Sequence, residues 1–212
     1  MFLLKVIVVA VAFLFFNTDA ETPDVEEKDL LDDRILPIVE VFNTTQRLWQ
    51  YQQNITSTSP KRDSVTPRPT KKERRCVFLE KYNITNKDVY LRMERKRFGI
   101  QNSWASTLLH GTFESDGGLG RMQVNYKGRR SGPYKILDLV YKDTNCSVFI
   151  AKYYSQSGIS VCELFVEDQQ APYGPTTGCS DYFNENCTGD TLVFYNETCS
   201  VARNELTSTQ RP

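Results

Sequence analysis

One carboxylate of this sequence stands where it could bind a ligand or a cation. Glu163 lies in the apolar run Ile159 to Val166, which follows a second apolar run, Cys146 to Tyr154. If the two runs form a hairpin that turns at residues 155–157, alternate side chains share one face. That face carries Ser147, Phe149, Ala151, Tyr153, Val161, Glu163 and Phe165. A carboxylate is costly to bury there without a cation or a hydrogen-bond donor. Glu163 is therefore predicted either to contact a ligand or to bond a tyrosine or arginine of the protein.

The cysteines predict disulfides rather than a metal site. There are six, and five of them fall in the last third of the chain: Cys76, Cys146, Cys162, Cys179, Cys187 and Cys199. No Cys-x-x-Cys pair occurs and His110 is the single histidine, so no zinc site is expected. Six cysteines allow fifteen pairings. The predicted hairpin places Cys146 roughly 13 Å along the strand from Cys162, beyond the roughly 7 Å that a disulfide spans, which removes that one pair.

The N-terminus predicts secretion. Residues 1–20 contain Lys5, an apolar run from Val6 to Phe16 and small residues before a cleavage point, as in a signal peptide. The run is shorter than the roughly 20 residues that span a bilayer, so no membrane span is expected. An oxidising secretory route forms disulfides and glycosylates Asn-x-Ser/Thr sites. A glycoprotein is predicted, with these six sites: Asn43, Asn54, Asn83, Asn145, Asn186 and Asn196.

Size and charge indicate one extracellular domain, residues 21–212. About 190 residues remain after cleavage, which suits a single core. The 26 basic and 26 acidic residues cancel, but residues 21–40 are acidic and residues 61–75 are basic. A nucleic-acid partner is not expected for a secreted chain. The basic run is interpreted as a solvated loop, and a glycosaminoglycan or membrane-surface contact is the alternative.

The order of elements predicts an all-β domain. Residues 24–42 have the spacing of an amphipathic helix, which Pro37 should kink or divide. A strand at residues 46–52 and a long mobile basic loop at residues 54–75 follow. Residues 76–166 alternate in short runs between turn residues, and residues 167–212 form a cysteine-rich tail. Eight up-and-down strands suit a closed antiparallel barrel that holds one small ligand.

Several aromatic residues of these strands are candidate ligand contacts. Trp49, Tyr90 and Trp104 are predicted either to contact the ligand or to belong to the plain core. Tyr126 alternates with Met122 and Val124 and is predicted to line the barrel wall. Arg92 and Arg121 are predicted either to be solvated or to provide a cationic spot for a carboxylate ligand.

The hairpin and its cysteines resemble the signature of the tick salivary lipocalins, the family of the tick histamine-binding proteins. The resemblance rests on Cys146-Ser147-Val148, on Glu163-Leu164-Phe165 and on the cysteines that follow. It implies a lipocalin-like (calycin) barrel with an N-terminal helix and a disulfide-stapled C-terminal tail. It also implies the bonds Cys76–Cys199 and Cys146–Cys179, which leaves Cys162 with Cys187.

This resemblance implies a secreted salivary protein that sequesters a small host mediator and thereby suppresses host inflammation and haemostasis. The mediator is expected to be a biogenic amine or a lipid mediator such as a leukotriene or fatty acid. Ser147 stands where amine binders of the family carry Asp, and Phe165 stands where they carry Trp or Tyr, which weakens the amine interpretation. The alternative is an immune-evasion protein that binds a host complement component or chemokine through its loops.

Catalysis is not expected. His110 is the sole imidazole, no Gly-x-Ser-x-Gly or phosphate-binding glycine loop is present, and the cysteines are predicted to be oxidised. Neither a cofactor nor a metal is predicted.

Overall fold

The computed structural model describes residues 35–55, 76–97, 103–115, 118–128, 132–154 and 160–199. All of them belong to one unit, Ile35–Pro212. The predicted signal peptide, residues 24–34 of the predicted helix and residues 56–75 of the predicted basic loop lie outside the described residues.

Two α-helices, one 3-10 turn and nine strands make up the described chain. In chain order they are α1 Pro37–Phe42, β1 Leu48–Ile55, β2 Val77–Ile84, β3 Asp88–Lys96, β4 Trp104–Glu114, β5 Arg121–Tyr126, β6 Lys135–Lys142, β7 Cys146–Tyr153, β8 Ser160–Glu167, the 3-10 turn Ala171–Tyr173, α2 Thr177–Asn186 and β9 Thr191–Val193. Within the described residues, neither helix is long and apolar enough to cross a membrane.

Strands β1 to β8 form a closed antiparallel barrel. Each pairs with the next from β2 to β8, and β1 pairs with both β8 and β2, so the sheet closes on itself. The predicted fold class, an eight-stranded antiparallel barrel, is confirmed. The tail adds a ninth strand, β9, which pairs with residues Gln52 to Asn54 of β1. Strand β1 runs to Ile55, so Asn54 belongs to this strand and not to the basic loop.

Helix α1 covers one end of the barrel. Pro37 occupies the first turn of α1, where its missing N–H and fixed φ are tolerated. Ile38 and Phe42 are almost completely buried, and the Ile38 N–H donates to the Leu119 carbonyl at 3.0 Å. Gly120 has φ +102°, and a Cβ there would lie 2.6 Å from the Ile38 side chain. This close approach requires glycine.

The barrel wall separates two apolar cores, which alternate along each strand. In β8, Val161 and Phe165 pack into the inner core, whereas Leu164 and Val166 pack into an outer core. The outer core lies between the outer face of the sheet and the C-terminal segment. This segment contributes Cys179, Phe183 and Tyr195 among others. Both faces of β7 and β8 are therefore buried, which explains their nearly continuous apolar sequence.

Three disulfides attach the C-terminal segment to the barrel. The structure bonds Cys76 to Cys199, Cys146 to Cys179 and Cys162 to Cys187, with Cα–Cα distances of 5.2, 6.5 and 5.9 Å. These are the three pairs that the sequence resemblance implies. All six sulfurs lie in the outer core.

Candidate functional site

A buried ion pair lies inside the barrel around Glu163. The Glu163 side chain has no exposed surface, and that of Lys135 is 9% exposed. Lys135 Nζ donates to Glu163 Oε2 at 2.6 Å, and the Tyr153 hydroxyl donates to Glu163 Oε1. Both carboxylate oxygens are thus hydrogen-bonded within the protein. Glu163 meets a cation and a donor, as its burial requires.

Strand register brings these side chains together. Phe149 lies opposite Glu163 across the β7–β8 pair, and Lys135 lies opposite Tyr153 across the β6–β7 pair. Lys135 lies on the same face of β6 as Leu137 and Leu139, which pack in the inner core. The side chains therefore project inward from three adjacent strands.

Two more tyrosines extend this site toward the barrel end where β6 begins. The Tyr134 and Tyr153 rings meet edge to face with centroids 5.4 Å apart, and the Tyr126 and Tyr134 centroids are 4.6 Å apart. The Lys135 ammonium lies 5.2 Å from the Tyr153 centroid and 5.8 Å from the Tyr134 centroid, within cation–π range. We call Tyr126, Tyr134, Lys135, Tyr153 and Glu163 the polar cluster. Its three tyrosines are only partly buried.

Burial and the charge of Glu163 raise the pKa values of two tyrosines of the polar cluster, Tyr134 and Tyr153. Burial, followed by the negative charge of Glu163, raises the pKa of Tyr153 well above its ordinary value. The same two causes raise the pKa of Tyr134, and Arg95 opposes the shift with its positive charge. Both phenols therefore remain hydrogen-bond donors at neutral pH.

These shifts predict a loss of stability in alkali. A tyrosine whose pKa is higher in the folded than in the unfolded chain stabilises the fold below its ordinary pKa of 10.0. This stabilisation is lost as pH rises above that value toward the folded pKa. We expect tyrosinate absorbance of the folded protein to show two late-titrating groups, Tyr134 and Tyr153, of which Tyr153→Phe removes one. Tyr173→Phe is the matched control, since Tyr173 is 85% exposed. An unchanged late titration in Tyr153→Phe would contradict this assignment.

A line of polar side chains continues along the inner face from Glu163. Gln53 lies opposite Glu163 across the β1–β8 pair, and Gln50 lies opposite Phe165. Gln50 Nε2 donates to Gln53 Oε1 at 3.3 Å, and both glutamines are buried. Ser147 is buried two residues before Phe149 on β7 and borders a separate cavity of about 140 Å³ near α1. The inner face thus combines apolar walls with a polar stripe.

The predicted hairpin face is present in the structure. Phe149 and Phe165 contact each other with ring centroids 5.7 Å apart in the inner core. Tyr153 and Tyr126 pack against the same core. Ser147 and Glu163 share this face by register. Whether these residues bind a ligand stays a prediction.

The side chains of Trp49, Tyr90 and Trp104, each predicted either to contact the ligand or to belong to the plain core, point away from the barrel interior. A ligand role for them stays a prediction. Trp49 and Trp104 lie in the outer core, each packed against Phe78 with ring centroids 4.7 and 5.5 Å apart. Trp49 Nε1 donates to Asp168 Oδ1 at 2.5 Å. Tyr90 stacks on His110 at 4.8 Å on the outer surface, since its neighbours Val89 and Leu91 point inward.

The two arginines considered as cationic spots also face outward. Arg92 lies 3.5 Å from Glu80, and Arg121 donates to Asp138. Lys135 and Gln53 provide the interior polar groups that sequence reasoning missed. The only indication in the sequence that Lys135 points inward was its alternation with Leu137 and Leu139. That indication was ambiguous, because Ile136 and Val140 make the opposite face apolar as well.

One predicted glycosylation site does not fit the fold. Asn54 is buried, and its Nδ2, the atom that a glycan would occupy, donates to the Cys187 carbonyl. The expectation for Asn54 is therefore corrected. Asn43, Asn83 and Asn186 are exposed, and Asn145 and Asn196 are partly exposed, so their occupancy stays a prediction. Among the described residues, no group of histidine, cysteine and acidic side chains is arranged to hold a metal ion.

Comparison with known proteins gives one family and several distant structures. The family model described as tick histamine binding protein matches residues 43–201. Japanin from Rhipicephalus appendiculatus, solved bound to cholesterol, has 14% identity and a TM-score of 0.49 over 74% of this chain and 96% of its own. The siderocalin Ex-FABP has 8% identity and a TM-score of 0.48 over 72% of this chain and 94% of its own. Lobster apocrustacyanin A1 has 11% identity and a TM-score of 0.47 over 77% of this chain and 83% of its own. No curated protein sequence matches this chain.

Proposed function

Because the chain belongs to the tick histamine-binding protein family, we propose that it is a secreted salivary lipocalin that sequesters a small host mediator inside its barrel. Sequestration needs affinity and abundance, and no catalytic step is proposed. The observation that carries the proposal is the polar cluster, which sets hydrogen-bond donors at one end of an apolar interior. Binding sites for small ligands commonly combine apolar walls with a few placed polar groups.

The charges of the polar cluster favour a lipid mediator over a biogenic amine. A protonated amine prefers a free carboxylate and aromatic faces. Here Lys135 already occupies the Glu163 carboxylate at 2.6 Å, and Arg95 acts on Tyr134 as a second positive charge. Ser147 supplies no second carboxylate. A fatty-acid or leukotriene head group would instead accept hydrogen bonds from the N–H groups of Lys135 that Glu163 does not use, since an ammonium has three donors.

The inner core is apolar, as the remainder of such a ligand requires. Met93, Phe149 and Leu137 line the face that the polar cluster shares. Each methylene that leaves water contributes about 0.8 kcal/mol, so an acyl chain supplies most of the affinity. The head group would then fix the orientation of the ligand at the end where β6 begins.

Calorimetric titration tests the choice of ligand. We expect the wild-type protein to bind a long-chain fatty acid and to bind histamine and serotonin weakly or not at all. The absence of one close charge partner typically weakens amine binding by roughly 30-fold to several-thousand-fold. Arg95→Ala should weaken fatty-acid binding, because it removes a positive charge that acts on this cluster. Arg92→Ala is the matched control, because Arg92 pairs with Glu80 on the outer surface. Tight histamine binding by the wild-type protein would contradict the lipid assignment.

A second candidate function is supported by how full the barrel is. Phe149, Leu137 and Ala151 have no exposed surface, so the inner core around them is filled by the protein itself. This favours an immune-evasion protein that binds a host complement component or chemokine through its loops. Native mass spectrometry of glycoprotein secreted from insect cells separates the two functions. A co-purified small molecule supports sequestration, and its absence together with no lipid binding supports the protein partner.

A further inference from the structure

The surroundings of the Lys135 ammonium are those of an alkylammonium-binding site. A carboxylate oxygen lies 2.6 Å from Nζ, and two tyrosine rings lie 5.2 and 5.8 Å from it. The carboxylate is completely buried and the ammonium nearly so. A desolvated carboxylate with aromatic faces is the arrangement that recognises organic cations.

We propose that Lys135 is the specificity-determining residue of this barrel: its side chain fills a site built for a primary alkylammonium ion and so excludes such ligands. Glu163 supplies the charge, Tyr153 and Tyr134 supply the aromatic faces, and the lysine is a tethered ligand. A free amine has to displace an ammonium that is covalently held at the same carboxylate. The inference rests on the proposed function in one respect only, that small molecules enter this interior.

The orientation of the partners supports a cation site rather than a simple structural pair. Tyr153 donates its hydroxyl to the second oxygen of Glu163, which leaves Oε2 free to accept from an ammonium. The raised pKa of Tyr153 means that this donor persists at neutral pH. The Tyr153 hydroxyl can therefore still donate to Glu163 after Lys135 is removed.

Removal of the tethered cation tests the proposal. Lys135→Ala deletes three carbons and the ammonium, which n-propylammonium replaces atom for atom. We expect n-propylammonium to raise the melting temperature of Lys135→Ala, and 1-propanol, its neutral counterpart, to have little effect. The calorimetric affinity for n-propylammonium should exceed that for 1-propanol by at least about tenfold, as expected for a charge-assisted bond in a desolvated site. The wild-type protein should bind neither compound.

Two control variants separate the effect of the Glu163 charge from that of the space left by the Lys135 side chain. Lys135→Met keeps an unbranched side chain of similar length, so the site stays filled and n-propylammonium should not bind. Lys135→Ala combined with Glu163→Gln keeps the space and loses the carboxylate, so the preference for the cation should disappear. If Lys135→Ala does not fold alone, it is refolded with each compound. Recovery with n-propylammonium alone then supports the proposal.

Equal effects of n-propylammonium and 1-propanol on Lys135→Ala, or no effect of either, would overturn the proposal. That outcome is separable from failure of the proposed function, which is measured on the wild-type protein with a fatty acid. Fatty-acid binding without amine rescue would leave sequestration standing and make Lys135 a structural residue. Amine rescue without any wild-type ligand would leave the specificity role standing.

Discussion

Glu163→Gln is expected to lower the free energy of unfolding by about 3–5 kcal/mol, because it leaves the Lys135 ammonium buried without its counter-charge. Tyr153 also loses its charged acceptor. The measurement is denaturation by urea at neutral pH with the disulfides intact. Glu80→Gln is the matched control, since Glu80 pairs with Arg92 on the surface, where an ion pair contributes about 0–1 kcal/mol.

A double substitution separates the cost of an unpaired charge from the value of the pair. Lys135→Met with Glu163→Leu removes both charges, and apolar replacement of a buried pair is often nearly neutral. We expect this variant to be more stable than Glu163→Gln alone. A loss for Glu163→Gln no larger than that for Glu80→Gln would show that the ion pair is not buried in solution.

Replacement of Cys76 and Cys199 by alanine is expected to lower the free energy of unfolding by about 4–5 kcal/mol, the largest loss among the three disulfides. This bond joins residues 123 apart in sequence, against 33 and 25 for the other two. A longer closed loop removes more conformational entropy from the unfolded chain. Guanidinium denaturation of the double variant, compared with the wild-type protein, measures the loss.

The Cys162–Cys187 pair is the matched control for this prediction. The chain-entropy argument gives about 3–4 kcal/mol for its shorter loop. Both bonds lie in the outer core, so the four cysteines are buried to a similar degree. A larger loss for Cys162 and Cys187 than for Cys76 and Cys199 would show that packing of the tail, and not loop length, sets the stabilisation.

The hairpin was the part of the fold that local sequence could predict. Alternation in β7 and β8 places Phe149 opposite Glu163, and the register depends only on where the turn falls. The helix and strands before it follow from turn residues and periodicity. The ninth strand was missed, because three residues carry no pattern of their own and β9 forms only by pairing with β1.

The sequence did not predict whether a single aromatic side chain points into the barrel or out of it. Trp49 and Trp104 are as apolar as any inner residue, and an outer core buries Trp49 completely and packs against Trp104. Irregular pairing between Gln50 and Gln52 also breaks the alternation of β1. Lys135 joins Glu163 from 28 residues away, a pairing that depends on the register of two strand pairs together.

Methyl NMR of the protein with a long-chain fatty acid tests the central claim, that the ligand enters the barrel. Leu91 and Leu137 report on the inner core, and Val148 and Leu164 report on the outer core. We expect saturable shifts of the Leu91 and Leu137 methyl groups, with the Val148 and Leu164 methyl groups almost unchanged. Shifts confined to Val148 and Leu164, or none at saturating fatty acid, would contradict sequestration inside the barrel.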